Sequence, residues 1–565
     1  MLPLRFGPAD RPLLGYFHPS GLGGAARASV AICGPLGWEA IAAHFALRAL
    51  ADSLAAEGFD VLRFDYDGAG DSFGDDDEPD RVARWMGSVA AALDLLKAQS
   101  PGLSLTVVGI HLGATFAARV ASKRADVTAA VLWATFAQGR AFVRQVKAYR
   151  ALNPGTGSPV AAGDEEAAGF YLSAETVKAL SALTLLDVPV PPAPLVLLLA
   201  RQAGGGDEPL AEHWRRGGAE TRTEALEGYA DMMQEPRKSV VPTRVFDAIR
   251  GFLLEAFPTP SPRVLIPPPS VSGITETEGF FGPSQALFGI LTRPPRPTRP
   301  TVVFLNTASD PRVGPNRMYV RWARALADAG HASFRFDPRG VGDCRSGDSP
   351  ASVHVYSKTR LQDLRAVFEH LRALGMSGPF VLVGLCSGAF VGFHGALEEP
   401  GVCGIVMLNP QTFQWNEGDS LELKVRGSFK STRFYRRALL EPETWRRALR
   451  GEVNVRGTVP TLAKRTLRSA LRAVQSRLPF ETSADVFVER GFRKLLQRGT
   501  RIFLLFGAND GGIDAVEAHL GGGGARMRSF PGLKFEVIEG PDHTFSQVSE
   551  QRKLYQRVAG FLQQL

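Results

Sequence analysis

The chain of 565 residues repeats one order of motifs, and corresponding positions lie about 275 residues apart. Each copy contains a Phe-Gly-Pro turn, an Ala-rich helix followed by an Arg-Phe-Asp strand, a Gly-rich turn, a strand-turn-helix motif and a late polar loop. The pairs in chain order are Phe6–Pro8 and Phe281–Pro283, Leu50–Asp65 and Trp322–Asp337, Gly68–Ser72 and Gly340–Cys344, Val107–Ala114 and Val383–Ala389, and Glu227–Asp231 and Glu539–His543. Matches in one unbroken order indicate a tandem duplication of a whole domain, not a solenoid of short repeats.

A proline-rich stretch lies between the two copies and marks their boundary. It contains Phe257–Pro262 and Ile266–Ser270, whose prolines disfavour regular structure. The chain is also too long for one ordinary hydrophobic core. We therefore expect a first domain over residues 1–257, a linker over 258–278 and a second domain over 279–565.

Within each copy, short apolar segments alternate with Ala-rich amphipathic segments. This alternation predicts an α/β fold, in which a mostly parallel sheet has helices on both faces. The strands predicted most clearly in the second copy are Thr301–Asn306, Ala332–Asp337, Phe380–Val383, Gly404–Asn409 and Arg501–Phe506.

Composition favours a globular protein from a reducing compartment. Hydrophobic residues make up 44% and charged residues 22% of the chain, which is ordinary for soluble proteins. The four cysteines form neither a Cys-x-x-Cys pair nor a zinc-binding spacing, so we expect no disulfide scaffold, metal or other cofactor and a cytoplasmic location. We also expect no signal peptide and no membrane span, since no charged leader with an apolar core and no apolar run of spanning length is present.

The most informative motif is Gly384-Leu-Cys386-Ser-Gly388, which follows an apolar strand. This spacing is typical of a nucleophile elbow, where glycines permit the tight turn that exposes the central side chain. The following helix start offers backbone N–H groups to a thiolate or an oxyanion. A free cysteine on an apolar segment is commonly a small core residue. Ser387 lies one position beyond the apex, so its side chain is expected to point elsewhere.

Two further residues complete a catalytic set with Cys386. Asp510 follows the strand that ends at Gly507, and His543 lies in a late loop. The order nucleophile, acid, base is that of a hydrolase triad, in which His543 would take the thiol proton and Asp510 would orient the imidazole. Asp514 is the alternative acid, and a surface position is the alternative for His543.

An oxyanion hole is expected beside Cys386. Its donors would be the backbone N–H of Ser387 and one from the loop after Asn306, at Thr307 or Ala308. Such donors act where negative charge develops during acyl transfer, which is usually a large catalytic contribution.

The first copy lacks this set. His111 occupies the elbow apex, and Asp231 stands where the second copy has His543. The counterpart of the acid falls near Ala203, and Asp207 is the nearest carboxylate. No nucleophile–base pair is predicted there, so we expect the first domain to be structural or regulatory. A covalent role for His111 is the alternative.

A basic segment interrupts the second copy, in an expected helical lid over residues 411–498. Between residues 424 and 477 it holds 15 Lys and Arg against three Glu and no Asp. This excess suits an acidic acyl carrier protein or the phosphates of coenzyme A. The alternatives are a solvated helix face, ion pairs to the acidic loop Asp75–Glu78, or nucleic acid, for which no motif is present. The candidate substrate-binding residues are Arg433, Arg436, Arg437, Arg446 and Arg447.

Both copies resemble α/β-hydrolase fold domains, over nearly the whole chain apart from the linker. The turn Arg335–Cys344 is similar to the Phe-Asp-x-Arg-Gly-x-Gly-x-Ser turn common there, with Cys344 in place of the serine that the first copy keeps as Ser72. The copies more closely resemble serine-aminopeptidase-like hydrolases associated with exosortase and biosynthetic gene clusters. The cysteine apex is similar to that of polyhydroxyalkanoate synthases and Cys-dependent cyclases of carrier-bound acyl chains. For Cys386, Asp510 and His543, this resemblance implies acyl transfer through an enzyme thioester.

Sulfur chemistry favours transfer over simple hydrolysis. Passing an acyl group from a thioester donor to Cys386 exchanges one thioester for another, whereas a serine would form a more stable ester. We therefore expect a Cys-dependent acyltransferase (a transacylase, condensing or cyclising enzyme) that uses a carrier-protein or CoA thioester and a small-molecule acceptor. A thioesterase or esterase with the same triad and a catalytically silent scaffold are the alternatives. The acyl chain, acceptor and oligomeric state are left open.

Overall fold

The computed structural model describes residues 1–152, 160–201, 207–267, 275–352, 354–416, 419, 483–521, 525–526 and 531–565. It contains two eight-stranded sheets, one in each half of the chain, with helices on both faces. The predicted tandem α/β architecture is therefore confirmed. In the described part of the chain, no helix combines the length and apolarity needed to cross a bilayer.

The first half begins with an antiparallel hairpin and continues as a parallel sheet. Its strands are β1 Leu2–Phe6, β2 Leu13–His18, β3 Ala25–Ala26, β4 Ser29–Cys33, β5 Asp60–Phe64, β6 Leu105–Ile110, β7 Val127–Trp133, β8 Glu165–Ala167, β9 Phe170–Leu172, β10 Leu195–Ala200 and β11 Glu220–Ala225. Its helices are α1 Trp38–Ala56, α2 Arg81–Gln99, α3 Leu112–Ala121, α4 Gly139–Leu152, α5 Ala174–Ala182, α6 Glu208–Arg216, α7 Tyr229–Met232 and α8 Thr243–Ala256.

The second half repeats this plan. Its strands are β12 Ser261–Pro262, β13 Glu276–Phe281, β14 Leu287–Thr292, β15 Thr301–Leu305, β16 Ser333–Asp337, β17 Phe380–Leu385, β18 Val402–Leu408, β19 Arg501–Gly507 and β20 Leu533–Ile538. Its described helices are α9 Met318–Asp328, α10 Lys358–Ala373, α11 Ser387–Glu398, α12 Ser483–Gln497, α13 Gly512–Leu520 and α14 Val548–Leu562, with 3₁₀ turns at Pro283–Gln285 and Pro315–Arg317.

The two large sheets have equivalent strand orders. The first runs β1-β2-β5-β4-β6-β7-β10-β11 and the second β13-β14-β16-β15-β17-β18-β19-β20. In each, the two pairings that involve the second strand are antiparallel and the others are parallel. The same order in both halves supports the duplication read from the motifs.

Apolar residues on alternate strand positions build a core on each face of each sheet. Val107 of β6 packs in one cluster and its neighbour Val108 in another. Leu382 and Val383 of β17 separate in the same way. Period-two alternation between two buried faces explains why these strands read as continuous apolar runs. Polar functional residues are therefore expected at the carboxyl ends of the parallel strands.

The predicted linker over residues 258–278 contains parts of two strands. Ser261–Pro262 pair with Ala25–Ala26 of the first half, and β13 already begins at Glu276. The domain limits themselves stay predictions.

The two halves meet through their second strands. Leu14 and Tyr16 of β2 form a buried cluster with Phe288 and Ile290 of β14. The rings of Tyr16 and Phe288 lie edge to face, with centroids 5.7 Å apart, which is a favourable aromatic geometry.

A buried cluster of charged residues continues this contact, and Arg312 is at its centre. Its Nη2 lies 2.8 Å from Asp71 Oδ2 of the first half, and its Nη1 lies 3.0 Å from Asp343 Oδ2. The guanidinium also hydrogen-bonds to Asp337 and to the Tyr16 hydroxyl. The Arg312 side chain and all three carboxylates are almost completely buried. The guanidinium and the carboxylates are therefore stabilised by one another and not by water.

Each half contributes an arginine that pairs with an aspartate of the other half. Arg63 of the first half contacts Asp343 of the second at 2.8 Å, and Arg335 of the second contacts Asp71 of the first at 3.1 Å. Arg63 corresponds to Arg335, and Asp71 to Asp343. Burial would raise the pKa of both aspartates, but the facing cations lower it, so both carboxylates are charged at neutral pH.

Candidate active site

The elbow predicted around Cys386 is present. β17 ends at Leu385, Cys386 has φ 55° and ψ −111°, and α11 starts at Ser387. A Cβ on Gly384 would lie 2.3 Å from the Gly388 carbonyl carbon, and one on Gly388 would lie 2.6 Å from the Leu305 carbonyl oxygen. Glycine is required at both positions because any side chain would collide with backbone. The strained conformation at Cys386 is typical of a functional residue.

The acid and base predicted from chain order lie together. His543 Nδ1 is 2.5 Å from Asp510 Oδ2, and the imidazole also interacts with Cys386. Asp510 comes directly after β19, whereas Asp514 lies in the first turn of α13. Of the two candidate acids, the structure brings Asp510 to the histidine. Asp510 and His543 are thus hydrogen-bonded to each other, and Cys386 lies near enough to the imidazole to affect its pKa.

The electrostatics of this group favour a charged imidazole. Burial would lower the pKa of His543, but Cys386 and Asp510 raise it to about 10. The histidine is consequently protonated at neutral pH. An imidazolium stabilises a thiolate beside it, so we expect an ion pair between Cys386 and His543.

Two polar residues that sequence reasoning missed support the acid and base. Gln411 Nε2 donates to Asp510 Oδ1 at 2.7 Å, and Asn409 Nδ2 donates to the His543 carbonyl oxygen at 2.7 Å. Both follow the carboxyl end of β18, where polar residues commonly contribute to a site. That position was the available signal in the sequence.

Tyr356 is a third residue without a prior assignment. Its hydroxyl lies 3.8 Å from Cys386 Sγ, and its ring stacks on Trp415 with centroids 4.7 Å apart. The Phe390 ring contacts the Tyr356 ring edge to face. The hydroxyl and the sulfur lie within hydrogen-bond distance of each other, and either group can be the donor. Tyr356 lies in a connecting segment far from the elbow in sequence, so no local motif marks it.

The oxyanion loop differs in one respect from expectation. The Ala308 N–H donates to Ser387 Oγ at 2.8 Å, so it is engaged by a side chain instead of pointing at an open oxyanion position. Thr307 Oγ1 donates to the Leu385 carbonyl oxygen at 3.4 Å, which ties this loop to the elbow strand. The amides of Thr307 and Ser387 remain the proposed donors. The Ser387 hydroxyl binds the loop, in agreement with its position beyond the apex.

The candidate substrate-binding arginines belong to the basic segment between residues 424 and 477. Arg433, Arg436, Arg437, Arg446 and Arg447 lie outside the described residues, as does most of the expected lid over 411–498. The acidic loop proposed as an alternative partner contacts other arginines: Asp75 pairs with Arg317 and Arg321, and Asp76 pairs with Arg321.

The first half also has an elbow, but its described residues place no cysteine at the apex and no His-Asp pair beside it. His111 has φ 61° and ψ −128°, close to the conformation of Cys386. Its Nε2 lies 3.2 Å from Gln145 Nε2 and 4.0 Å from Glu39 Oε1. Burial, with a contribution from Arg201, lowers the pKa of His111 to about 3, so the ring is neutral. The backbone conformation of the elbow is thus retained around a neutral histidine.

The first half instead contacts loops that carry the second half's catalytic residues. Glu166 Oε1 accepts a hydrogen bond from the Val548 N–H at 2.7 Å, five residues after His543. Glu235 lies near Asp310 at the oxyanion loop, where burial and this neighbour raise the pKa of Asp310 to about 7. These contacts support the expectation that the first domain shapes the second domain's site.

The protonated histidine leads to a pH prediction. Because His543 stays charged below about pH 10, we expect alkylation of Cys386 by iodoacetamide to change little in rate between about pH 6 and pH 9. A free thiol would react roughly tenfold faster per pH unit below its pKa of about 8.5. Peptide mass spectrometry after timed quenching measures the rate at this residue. His543→Ala should restore the steep profile, and a steep profile in the unmodified protein would contradict the ion pair.

Two family models match the chain in tandem. The serine aminopeptidase (S33) model matches residues 37–158, and the alpha/beta hydrolase family model matches residues 302–556. No curated protein matches the chain.

Several solved structures are similar to parts of it. Est1E from Butyrivibrio proteoclasticus, with bound ferulic acid, is 16% identical and covers 45% of this chain and 99% of its own, with a TM-score of 0.35. An alpha-beta serine hydrolase homologue from Coxiella burnetii is 14% identical, covers 52% and 99%, and has a TM-score of 0.31. Proline iminopeptidase from Mycobacterium smegmatis is 16% identical, covers 51% and 98%, and has a TM-score of 0.31.

The two family matches fall on the two sheets, one in each half, and the elbow geometry recurs in both. The chain is an enzyme of the α/β-hydrolase fold that carries two hydrolase domains in tandem.

Proposed function

We propose that the protein is a Cys-dependent acyltransferase that takes an acyl group from a carrier-protein or CoA thioester. The observation that supports this most directly is the elbow Cys386 beside the His543–Asp510 pair. A cysteine held next to an imidazolium is suited to nucleophilic attack on a carbonyl. Only the second half offers this arrangement among the described residues, so we assign the chemistry to it.

The first half-reaction loads the enzyme. The Cys386 thiolate attacks the thioester carbonyl, and the resulting oxyanion is stabilised by the Thr307 and Ser387 amides. Collapse of the tetrahedral intermediate breaks the donor C–S bond, and the His543 imidazolium gives its proton to the departing thiolate. The product is an acyl-Cys386 thioester with a neutral histidine, which Asp510 holds in the required orientation.

The second half-reaction transfers the group. The neutral His543 takes a proton from the acceptor's hydroxyl, amine or thiol as that atom attacks the acyl carbonyl. The C–S bond to Cys386 breaks, and the thiolate and imidazolium are regenerated together.

The donor is proposed from charge. The excess of Lys and Arg between residues 424 and 477 would attract an acidic carrier protein or the phosphates of coenzyme A. All four cysteines are free, which fits a reducing, cytoplasmic setting. Hydrolysis by the same triad is the second candidate, because both matching family models describe hydrolases.

Intact-protein mass spectrometry with a panel of acyl-CoA thioesters tests the proposal. We expect a mass gain equal to one acyl group, absent in Cys386→Ala and retained in Cys403→Ala, which removes a half-buried thiol of the same half. Adding amine or alcohol acceptors should discharge the adduct into acylated acceptor. If the acyl adduct were released only as the free acid, the protein would be a thioesterase and not an acyltransferase. An adduct that persists in Cys386→Ala, or no adduct and no turnover with any donor, would overturn the proposal, and the second result would favour a scaffold.

A further inference from the structure

The first half contains a cavity of about 220 Å³ above its inactive elbow. Leu112, directly after the apex His111, lines it, as does the loop Gly34–Trp38 after β4. The corresponding parts of the second half are Ser387 and the oxyanion loop after β15. The cavity therefore occupies the place of a substrate pocket in a half that has lost its nucleophile.

The walls of this cavity are mainly apolar, with a substantial aromatic contribution. Nine aromatic residues contribute, among them Trp38, Trp85, Phe142 and Phe170. A cavity of about 150 Å³ with apolar walls is large enough to hold benzene. At about 220 Å³, this one is large enough for a somewhat bigger molecule with one or two rings or a short acyl chain.

The charged groups of the lining favour a neutral ligand. Arg312, Arg317 and Arg321 reach the cavity from the second half, and each already contacts carboxylates. An anion would have to displace those partners, which are mostly buried. Glu39 offers an acceptor at the other side, where its carboxylate receives the Gln145 side-chain N–H at 3.0 Å. A hydroxyl or amide N–H on the ligand would suit this end of the cavity.

Two segments connect the cavity to the second half's active site. The hairpin β8–β9 supplies Phe170 to the wall, and its Glu166 accepts a hydrogen bond from the Val548 N–H at the start of α14, directly after the loop that carries His543. Pro311 and Arg312 line the cavity directly after the oxyanion loop, which ends near Asp310. A molecule in the cavity would thus contact segments that hold both the base and the oxyanion donors.

We propose that this cavity is an effector site, which binds a neutral, mainly aromatic or short-chain molecule bearing one hydrogen-bond donor and thereby changes the reactivity of Cys386. The site is separate from the triad and goes beyond the proposed acyl transfer. The shared loops are the physical connection through which binding in the cavity would affect the second site.

Calorimetric titration of the full chain with 2-naphthol tests the binding. Ala40→Trp, on the cavity wall at the start of α1, should abolish binding, whereas Ala56→Trp, exposed at the end of the same helix, should leave it unchanged. Glu39→Gln should raise the Kd about tenfold while preserving the fold. The anion 2-naphthoate should bind at least about tenfold more weakly than 2-naphthol.

The coupling is read from the iodoacetamide reaction of Cys386. Saturating 2-naphthol should change its rate by about threefold or more in the parent and in Ala56→Trp, but not in Ala40→Trp. Absence of 2-naphthol binding, or equal binding to Ala40→Trp and the parent, would overturn the site. Binding without any change in the alkylation rate would overturn its effector role. A cooperative thermal transition in each variant shows that lost binding does not reflect unfolding.

Discussion

Asp510→Asn is expected to lower kcat for acyl transfer by about 10³-fold to 10⁴-fold. The carboxylate accepts from His543 Nδ1 at 2.5 Å, and it contributes to the raised pKa of the imidazole. An asparagine keeps the shape of the Asp510 side chain but removes its negative charge, and it allows His543 to adopt the wrong tautomer. The histidine would then neither stay protonated beside the thiolate nor return a proton efficiently. Steady-state kinetics with an acyl thioester measures the loss.

Asp514→Asn is the matched control for this change. Asp514 is four residues further along, in the first turn of α13, and it is the other acid that the sequence allows. We expect its replacement to alter kcat by less than about threefold. A larger loss in Asp514→Asn than in Asp510→Asn would reverse the assignment of the acid. The iodoacetamide profile separates an electrostatic effect from misfolding, because Asp510→Asn should make it steeper while the protein stays folded.

Arg312→Met is expected to lower the free energy of unfolding by about 3–5 kcal/mol. Methionine fills much of the volume, but it leaves Asp71, Asp337 and Asp343 buried without their shared cation. Asp343 and Asp71 would keep their contacts with Arg63 and Arg335, respectively. The energetic cost therefore comes mainly from Asp337, whose only ion pair in the described part of the chain is with Arg312. Urea unfolding followed by fluorescence measures the change, since the halves share this cluster.

An exposed arginine provides the comparison for Arg312. Arg365 pairs with Glu398, and both side chains are well exposed, so Arg365→Met should cost no more than about 1 kcal/mol. If Arg312→Met were as mild as this control, the buried cluster would not stabilise the contact between the halves. The acyl-enzyme assay on the folded variant tells whether a loosened contact also disturbs Cys386.

The positions of the candidate catalytic residues could be predicted from the sequence because their signals are local. Gly384, Cys386 and Gly388 specify a turn by sterics alone, and that turn is present. Asp510 and His543 each follow a strand, so the order of elements places them at one edge of the sheet. The choice between Asp510 and Asp514 required the structure, because one turn of helix separates the two carboxylates.

The supporting residues and the contact between the halves could not be predicted. Arg63 and Asp343 are remote in sequence, and they read as an ordinary strand residue and an ordinary residue of a Gly-rich turn. Their pairing depends on how two whole domains dock. Tyr356 depends in the same way on the path of a long connection, and Ala308 depends on the rotamer of Ser387. Local sequence patterns specify neither the path of that connection nor the rotamer of Ser387.

The reciprocal exchange of Arg63 and Arg335 between the halves has a consequence for stoichiometry. Identical surfaces that exchange identical side chains are what two equal subunits use to form a symmetric dimer. In separate subunits, dilution would dissociate such a pair, and a damaged copy would mix with intact ones. Joining the copies in one chain replaces that equilibrium by a fixed local concentration. Every molecule therefore has one cysteine elbow and one histidine elbow, a ratio that no change in expression level can alter.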